Sequence, residues 1–124
     1  MTTKEVANRL VELCRTGDWD AAQKELYCEN CTSSEPFAAF GPKTVQGMEA
    51  IREKGKKWGE LVEQMYGAEI SDPIISDDHF AITMKMDIQY KGGPRTKDAE
   101  LCVYGVKDGK IISEEFFYAP PPEQ

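Results

Sequence analysis

Several features that usually indicate a cellular location are missing from this sequence. No apolar run exceeds four residues, so neither a membrane-spanning segment nor the apolar stretch of a signal peptide is predicted. We therefore expect a soluble, cytoplasmic chain without a membrane partner.

Metal and redox chemistry also have little support. The chain has one histidine, His79, which directly follows two aspartates and is typical of a solvated turn. Cys28 and Cys31 have the spacing of half a zinc site, but no second pair follows them. No glycine-rich phosphate-binding loop occurs. We expect reduced thiols, no metal and no cofactor.

The chain is also poor in basic residues. Its 22 acidic side chains outnumber 15 basic ones, which gives a net charge of −7. A phosphate backbone would be repelled by such a surface, so nucleic acid is not expected as a partner.

What is present fits one globular domain. The 124 residues are 40% hydrophobic, enough for one core and too short for two ordinary domains. We expect a single domain over residues 1–124, with residues 119–124 as a frayed tail because three consecutive prolines cannot form a helix.

The first half has helical periodicity. Thr2 and Glu5 form a capping-box pattern, and the apolar spacing that follows predicts a helix over 3–16. Further helices are predicted over 19–27 and 47–62. The third helix is expected to turn four residues inward: Met48, Ile51, Trp58 and Leu61.

The second half has the period of β-strands. Residues 79–90 alternate strictly between apolar and polar, and Asp108-Gly109 is a strong hairpin signal. Further strands are predicted at 61–71, 74–77, 100–106 and 111–118. Three helices followed by strands indicate an α+β fold, in which the helices cover one face of an antiparallel sheet.

Four motifs then occur in an order that resembles a known family. They are Arg15–Trp19 between the first two helices, Ser34-Glu35-Pro36, Gln46–Arg52 at the start of the third helix, and Asp108–Ile112 in the last hairpin. Over residues 6–118 the chain resembles the nuclear transport factor 2-like superfamily, in particular its SnoaL-like and ketosteroid-isomerase-like branch.

The resemblance implies a cystatin-like cone: three N-terminal helices packed in a strongly curved antiparallel sheet, with an apolar pocket inside. In the ketosteroid isomerases an aspartate before a proline is the general base, and a tyrosine and a protonated aspartate stabilise the enolate. The base position falls here on Glu35, but the donor positions fall on Leu10 and near Cys102. Steroid isomerisation by that mechanism is therefore disfavoured.

Other residues on the expected pocket face offer a substitute site. Glu114 is expected to face inward on the last strand, with Phe116 and Tyr118 beside it and Tyr104 across the hairpin. We take Glu35 and Glu114 as the candidate catalytic pair. The expected ligand contacts are Tyr104, Tyr118, Phe116, Met84, Met86, Trp58, Leu10 and Cys102.

Structural alternatives stay open for the charged candidates. Glu35 follows a polar stretch and also fits an exposed or capping role. Whichever of Glu114 and Glu115 faces inward is either a site residue or a partner of a buried Lys or Arg. The basic run at 54–57 is interpreted as the solvated side of the third helix.

The function predicted from these residues is that of a SnoaL-like protein whose pocket binds a small apolar organic molecule. It is either a cofactor-free acid–base enzyme of the isomerase, cyclase, lyase or hydrolase type or a non-catalytic binding or dimerisation module. The resemblance implies pairing through the outer sheet face, and Leu101 and Val103, which alternate with Cys102 and Tyr104, make one strand apolar on both faces. We therefore expect a homodimer through that face.

Overall fold

The computed structural model describes residues 1–39 and 41–120, so the predicted frayed tail lies outside the described residues from position 121 on. These described residues form three helices and seven strands. They are α1 (Thr3–Arg15), α2 (Trp19–Leu26), β1 (Tyr27–Ser34), β2 (Thr44–Gln46), α3 (Met48–Leu61), β3 (Val62–Ile70), β4 (Ile74–Ile75), β5 (His79–Tyr90), β6 (Arg95–Lys107) and β7 (Lys110–Phe117).

The first two helices begin at side-chain caps. The Thr2 hydroxyl accepts a bond from the Glu5 amide at 3.1 Å, and the Glu5 carboxylate accepts one from the Thr2 amide at 2.9 Å. This is the predicted capping box, and it pairs two amides that α1 itself leaves unbonded. At the start of α2, the Asp18 carboxylate accepts a bond from the Ala21 amide at 3.2 Å. Among the described residues, no helix is long and apolar enough to cross a membrane.

Helix α3 departs from its predicted inward face at two positions. Met48 and Ile51 are buried and Trp58 is half-buried, as predicted, but Leu61 is 46% exposed. Leu61 is the last helical residue, where the chain leaves α3 for β3. Lys54 takes an inward position instead, because it lies three residues after Ile51 and four before Trp58.

The sheet is mixed, which corrects the prediction of a purely antiparallel one. Its strand order is β2-β1-β7-β6-β5-β3, with β4 paired to β5. The β1 and β7 strands run parallel, whereas the other pairs are antiparallel. Strand β1 was not predicted, because its sequence is polar and carries no apolar alternation. The α+β class with three helices is confirmed.

Strand β5 carries the centre of the core. It spans the predicted residues, and the side chains of Phe80, Ile82 and Ile88 on its inner face are at most 2% exposed. They pack with Val6 and Leu10 of α1 in one hydrophobic cluster. Strands β6 and β7 continue the sheet and place Cys102, Tyr104, Glu114 and Phe116 on this same inner side. At the start of β7 a register shift turns Ile111 inward and leaves Ile112 exposed.

Candidate functional site

A cavity of about 530 Å³ lies between the helices and the inner face of the sheet. Its lining is mostly apolar. Six of the eight predicted ligand contacts line it: Leu10, Trp58, Met84, Met86, Tyr104 and Phe116. Both candidate catalytic residues, Glu35 and Glu114, line the same cavity.

Glu35 is held at the end of β1 by bonds to both of its carboxylate oxygens. The Tyr118 hydroxyl donates to Oε1 at 2.7 Å, and Lys54 Nζ donates to Oε2 at 2.9 Å. Its amide donates to the Lys43 carbonyl at 2.8 Å. The residue is only 8% exposed, so the alternative of an exposed surface carboxylate is wrong.

Lys54 was missed as a site residue. Its side chain is 13% exposed, and Nζ bonds Ser33 Oγ as well as Glu35. The ammonium also lies 5.2 Å from the centre of the Phe116 ring, in cation–π range. The interpretation of residues 54–57 as a solvated surface is wrong at Lys54, although Lys56 and Lys57 are exposed. The helical spacing from Ile51 and Trp58 is the signal that would have found it.

Glu114 lies in the interior, while its neighbour Glu115 is exposed, as strand alternation requires. The Tyr27 hydroxyl donates to Glu114 Oε2 at 3.2 Å. Burial raises the pKa of Glu114 to about 7, against the opposing effects of the Lys54 charge and the Tyr27 bond. Near neutral pH this carboxyl is therefore populated in both protonation states.

Glu100 is a third carboxyl on the cavity that was missed. It pairs in register with Met84, and the Cys102 thiol donates to its Oε1 at 3.6 Å. Burial, followed by the charge of Glu35, raises the pKa of Glu100 to about 7. Its even position on the strand of Cys102 and Tyr104 was the available signal.

Two predicted ligand contacts do not line the cavity. Tyr118 lies behind Glu35 and packs edge-on against Phe37, with ring centres 5.3 Å apart. Cys102 is fully buried, and its thiol donates to Glu100, which lines the cavity. Burial raises the pKa of the Cys102 thiol, which keeps it protonated.

The tyrosines of the site stay phenolic. Tyr104 stacks on Phe80 with ring centres 4.9 Å apart, and Tyr27 donates to Glu114. Burial holds the pKa of both phenols well above its ordinary value. They can therefore donate hydrogen bonds into an apolar site at any physiological pH. The arrangement suits proton transfer to and from a bound organic molecule.

The profile described as the SnoaL-like domain matches residues 1–118. The chain belongs to the SnoaL-like domain family. The predicted resemblance to the SnoaL-like branch is therefore confirmed over nearly the whole chain. A comparison with curated proteins gave no match.

Solved structures of SnoaL-like and cystatin-like proteins share this fold. A proposed SnoaL-like polyketide cyclase from Mesorhizobium loti is 33% identical, covers 95% of this chain and 100% of its own, and superposes with a TM-score of 0.88. A Xanthomonas campestris protein of unknown function with a cystatin-like fold is 24% identical, over 97% of this chain and 92% of its own, with a TM-score of 0.80. TerC, co-crystallised with polyporic acid, is 14% identical, over 93% of this chain and 89% of its own, with a TM-score of 0.76.

Proposed function

We propose that this SnoaL-like chain binds an apolar, carbonyl-bearing organic molecule in its cavity and transfers a proton on it without a cofactor. One observation carries the proposal: Glu35 and Glu114 line the same largely apolar cavity. A carboxyl group buried among apolar side chains can act as a general acid or base, because burial moves its pKa toward neutral pH.

The cavity supports the ligand class. A volume of about 530 Å³ falls within the range of small-molecule sites. The aromatic rings of Trp58, Tyr104 and Phe116 and the thioethers of Met84 and Met86 offer apolar contact to a flat or loosely shaped molecule. We propose as well that the sheet is strongly curved, as the family resemblance implies. A sheet bent around the three helices would enclose such a ligand.

Glu114 is the group proposed to transfer the proton. Its carboxylate accepts a proton from the carbon next to the ligand carbonyl, and the C–H electron pair moves onto the carbonyl oxygen to give an enolate. The Glu114 acid then returns the proton to another carbon, or the enolate carbon bonds a second carbonyl carbon, whose oxygen takes the proton. A pKa of about 7 suits both directions.

Glu35 has a supporting part in this proposal. Each of its oxygens already accepts a bond, from Tyr118 and from Lys54. Glu114 accepts a bond on Oε2 from Tyr27 and interacts with the Ser33 side chain, but among the described residues it has no ion pair of the kind that holds Glu35. The freer carboxyl is the better placed to meet a substrate C–H bond.

The relatives support an aromatic or polycyclic ligand. A proposed polyketide cyclase is the 33% identical relative from Mesorhizobium loti, and TerC was crystallised with polyporic acid. Steroid isomerisation is not proposed, since Leu10 and Cys102 occupy the positions of the enolate donors in the ketosteroid isomerases.

A thermal-shift screen with steroids, polyketides, terpenoids and polyporic acid tests the proposal. We expect at least one class to raise the melting temperature and to be converted, and Glu114→Gln to abolish conversion while binding is kept. Glu115→Gln is the control, because that side chain points away from the cavity. Binding without conversion in any class would favour the non-catalytic module, and no binding in any class would contradict the proposal.

We also propose that two chains pair through the outer sheet face. Leu101 and Phe117 are neighbours in register across β6 and β7, and they are 41% and 46% exposed. Val103 lies on the same face two residues from Leu101. Covering this apolar strip would remove it from water.

A further inference from the structure

Lys54 is a buried cation that the acid–base pair does not by itself require. Its Nζ meets Glu35, Ser33 and the face of the Phe116 ring at the wall of the cavity. Arg52 and Lys56 also line the cavity, but both are exposed. Only Lys54 therefore brings a positive charge into the interior among the described lining residues.

The bonding of the ammonium is incomplete. A lysine ammonium has three N–H donors. Ser33 and Glu35 take two of them, and within residues 1–39 and 41–120 no third acceptor is bonded. The Lys54 side chain is 13% exposed at the cavity wall, so the remaining N–H can donate to an oxygen brought by a ligand.

Chemistry also calls for such a donor. Taking a proton from a carbon next to a carbonyl places negative charge on the carbonyl oxygen, and stabilising that charge is usually the largest catalytic contribution. Leu10 has no proton to give, and Cys102 does not line the cavity and donates its thiol proton to Glu100. Neither residue can serve the developing oxyanion. The Tyr27 proton is used on Glu114, and the neutral Tyr104 hydroxyl stabilises a negative charge less than an ammonium does.

We propose that Lys54 is the oxyanion-binding residue of the cavity, and that the ligand carries an oxygen that is anionic or becomes so at that point. The assignment rests on the proposed function, because it presumes an organic ligand in the same cavity. Ser33 and Glu35 position the ammonium, and the Phe116 ring beneath it gives a flat ligand a stacking surface.

Glu35 limits the strength of this subsite, because its carboxylate partly neutralises Lys54. Glu35→Gln keeps the shape of the side chain and removes the negative charge. This variant therefore strengthens the binding of an anion in the cavity. The part of the gain that depends on Lys54 is the part that is lost when Lys54 is also replaced.

The test measures binding of 2-naphthoate and of 2-naphthamide, an anion and a neutral molecule of nearly equal shape, by calorimetry. Wild type is expected to prefer naphthoate, and Glu35→Gln to widen the preference by about tenfold, the usual scale of a charge-assisted hydrogen bond. Lys54→Met in the Glu35→Gln background should abolish it. This double variant avoids leaving a buried carboxylate without its cation and is thus expected to fold. Lys24→Met, on the exposed side of α2, should behave as wild type.

The outcomes separate the two proposals. If both probes bind equally in wild type and in Glu35→Gln, or if the preference survives Lys54→Met, the assignment of Lys54 is wrong while ligand binding stands. If neither probe binds any folded variant, the proposed function fails and the Lys54 subsite fails with it.

Discussion

Glu114 shows at the residue scale how this site conflicts with stability. A carboxyl with most of its surroundings apolar resists ionisation, and the bonds from Tyr27 and Ser33 offset only part of this effect at Glu114. The folded chain therefore holds a proton that the unfolded chain releases, which weakens the fold as pH rises. Such a cost is common at functional sites and rare in a core that serves packing alone.

Replacing Glu114 by Gln is expected to flatten the dependence of stability on pH. The pKa rises from its ordinary value of 4.5 to about 7 on folding, so wild type loses stability between these pH values and stays low above them. The unfolding free energy of the variant minus that of wild type should be roughly 2 to 4 kcal/mol larger at pH 8 than at pH 4.5. Urea unfolding at both pH values measures this.

Two comparisons make the result specific. Glu115→Gln should leave the profile unchanged, because Glu115 is exposed. Wild type and Glu114→Gln should both keep part of the dependence of stability on pH, because the pKa of Glu100 is also raised to about 7. Equal slopes in wild type and Glu114→Gln would mean that Glu114 titrates normally in the folded chain.

At the scale of elements, the apolar periodicity of the sequence predicted the helices and most of the strands. The strict alternation of β5 fixed its bounds and its buried face, and the capping box fixed the start of α1. Strand β1 was not predicted, because its inward residues, Cys31 and Ser33, are small or polar and give no apolar alternation. A strand of that kind is recognised by its pairing with β7, which a single sequence does not show.

The β6–β7 pairing supplies a test at the same scale. A Cβ added to Gly105 would lie 2.6 Å from Ser113 Oγ and 3.3 Å from His79 Nε2. Gly105→Ala should therefore cost roughly 1 to 3 kcal/mol of unfolding free energy. Adding Ser113→Ala should recover much of the loss, because it removes the closest atom.

Gly67→Ala is the matched control for this measurement. Gly67 lies in β3, and nothing stands within 4 Å of a Cβ built there. We expect no loss of stability in denaturant unfolding. A loss at Gly105 that Ser113→Ala leaves unchanged would show that the contact with Ser113 does not constrain this glycine.

At the scale of the whole molecule, the site is assembled from distant parts of the chain. Tyr27, Glu35, Lys54, Glu100 and Glu114 come from three strands or their ends and one helix. The family resemblance placed Glu35, and alternation placed Glu114, each within its own element. Their approach to Lys54 depends on how α3 crosses the sheet, and that packing has no local signature in the sequence.

Assembly is the second property of the whole molecule that is open to test. We expect sedimentation at micromolar concentration to show a species of twice the 13.9 kDa chain. Leu101→Lys should give monomers, because it places a charge in the apolar strip of the proposed interface. Leu61→Lys, at a residue that is 46% exposed at the end of α3 and lies off the sheet, should leave the dimer intact. A wild-type monomer under these conditions would contradict the pairing.

The central claim is that Glu114 exchanges protons with an organic carbonyl compound bound in the cavity. The most direct measurement is the rate at which 2-acetonaphthone takes up deuterium at its methyl carbon in deuterated buffer, followed by proton NMR. We predict that wild type accelerates exchange above the buffer rate, that Glu114→Gln lowers the acceleration about a hundredfold, and that Glu115→Gln matches wild type. Exchange at the buffer rate in wild type, or an equal rate with Glu114→Gln, would contradict the claim.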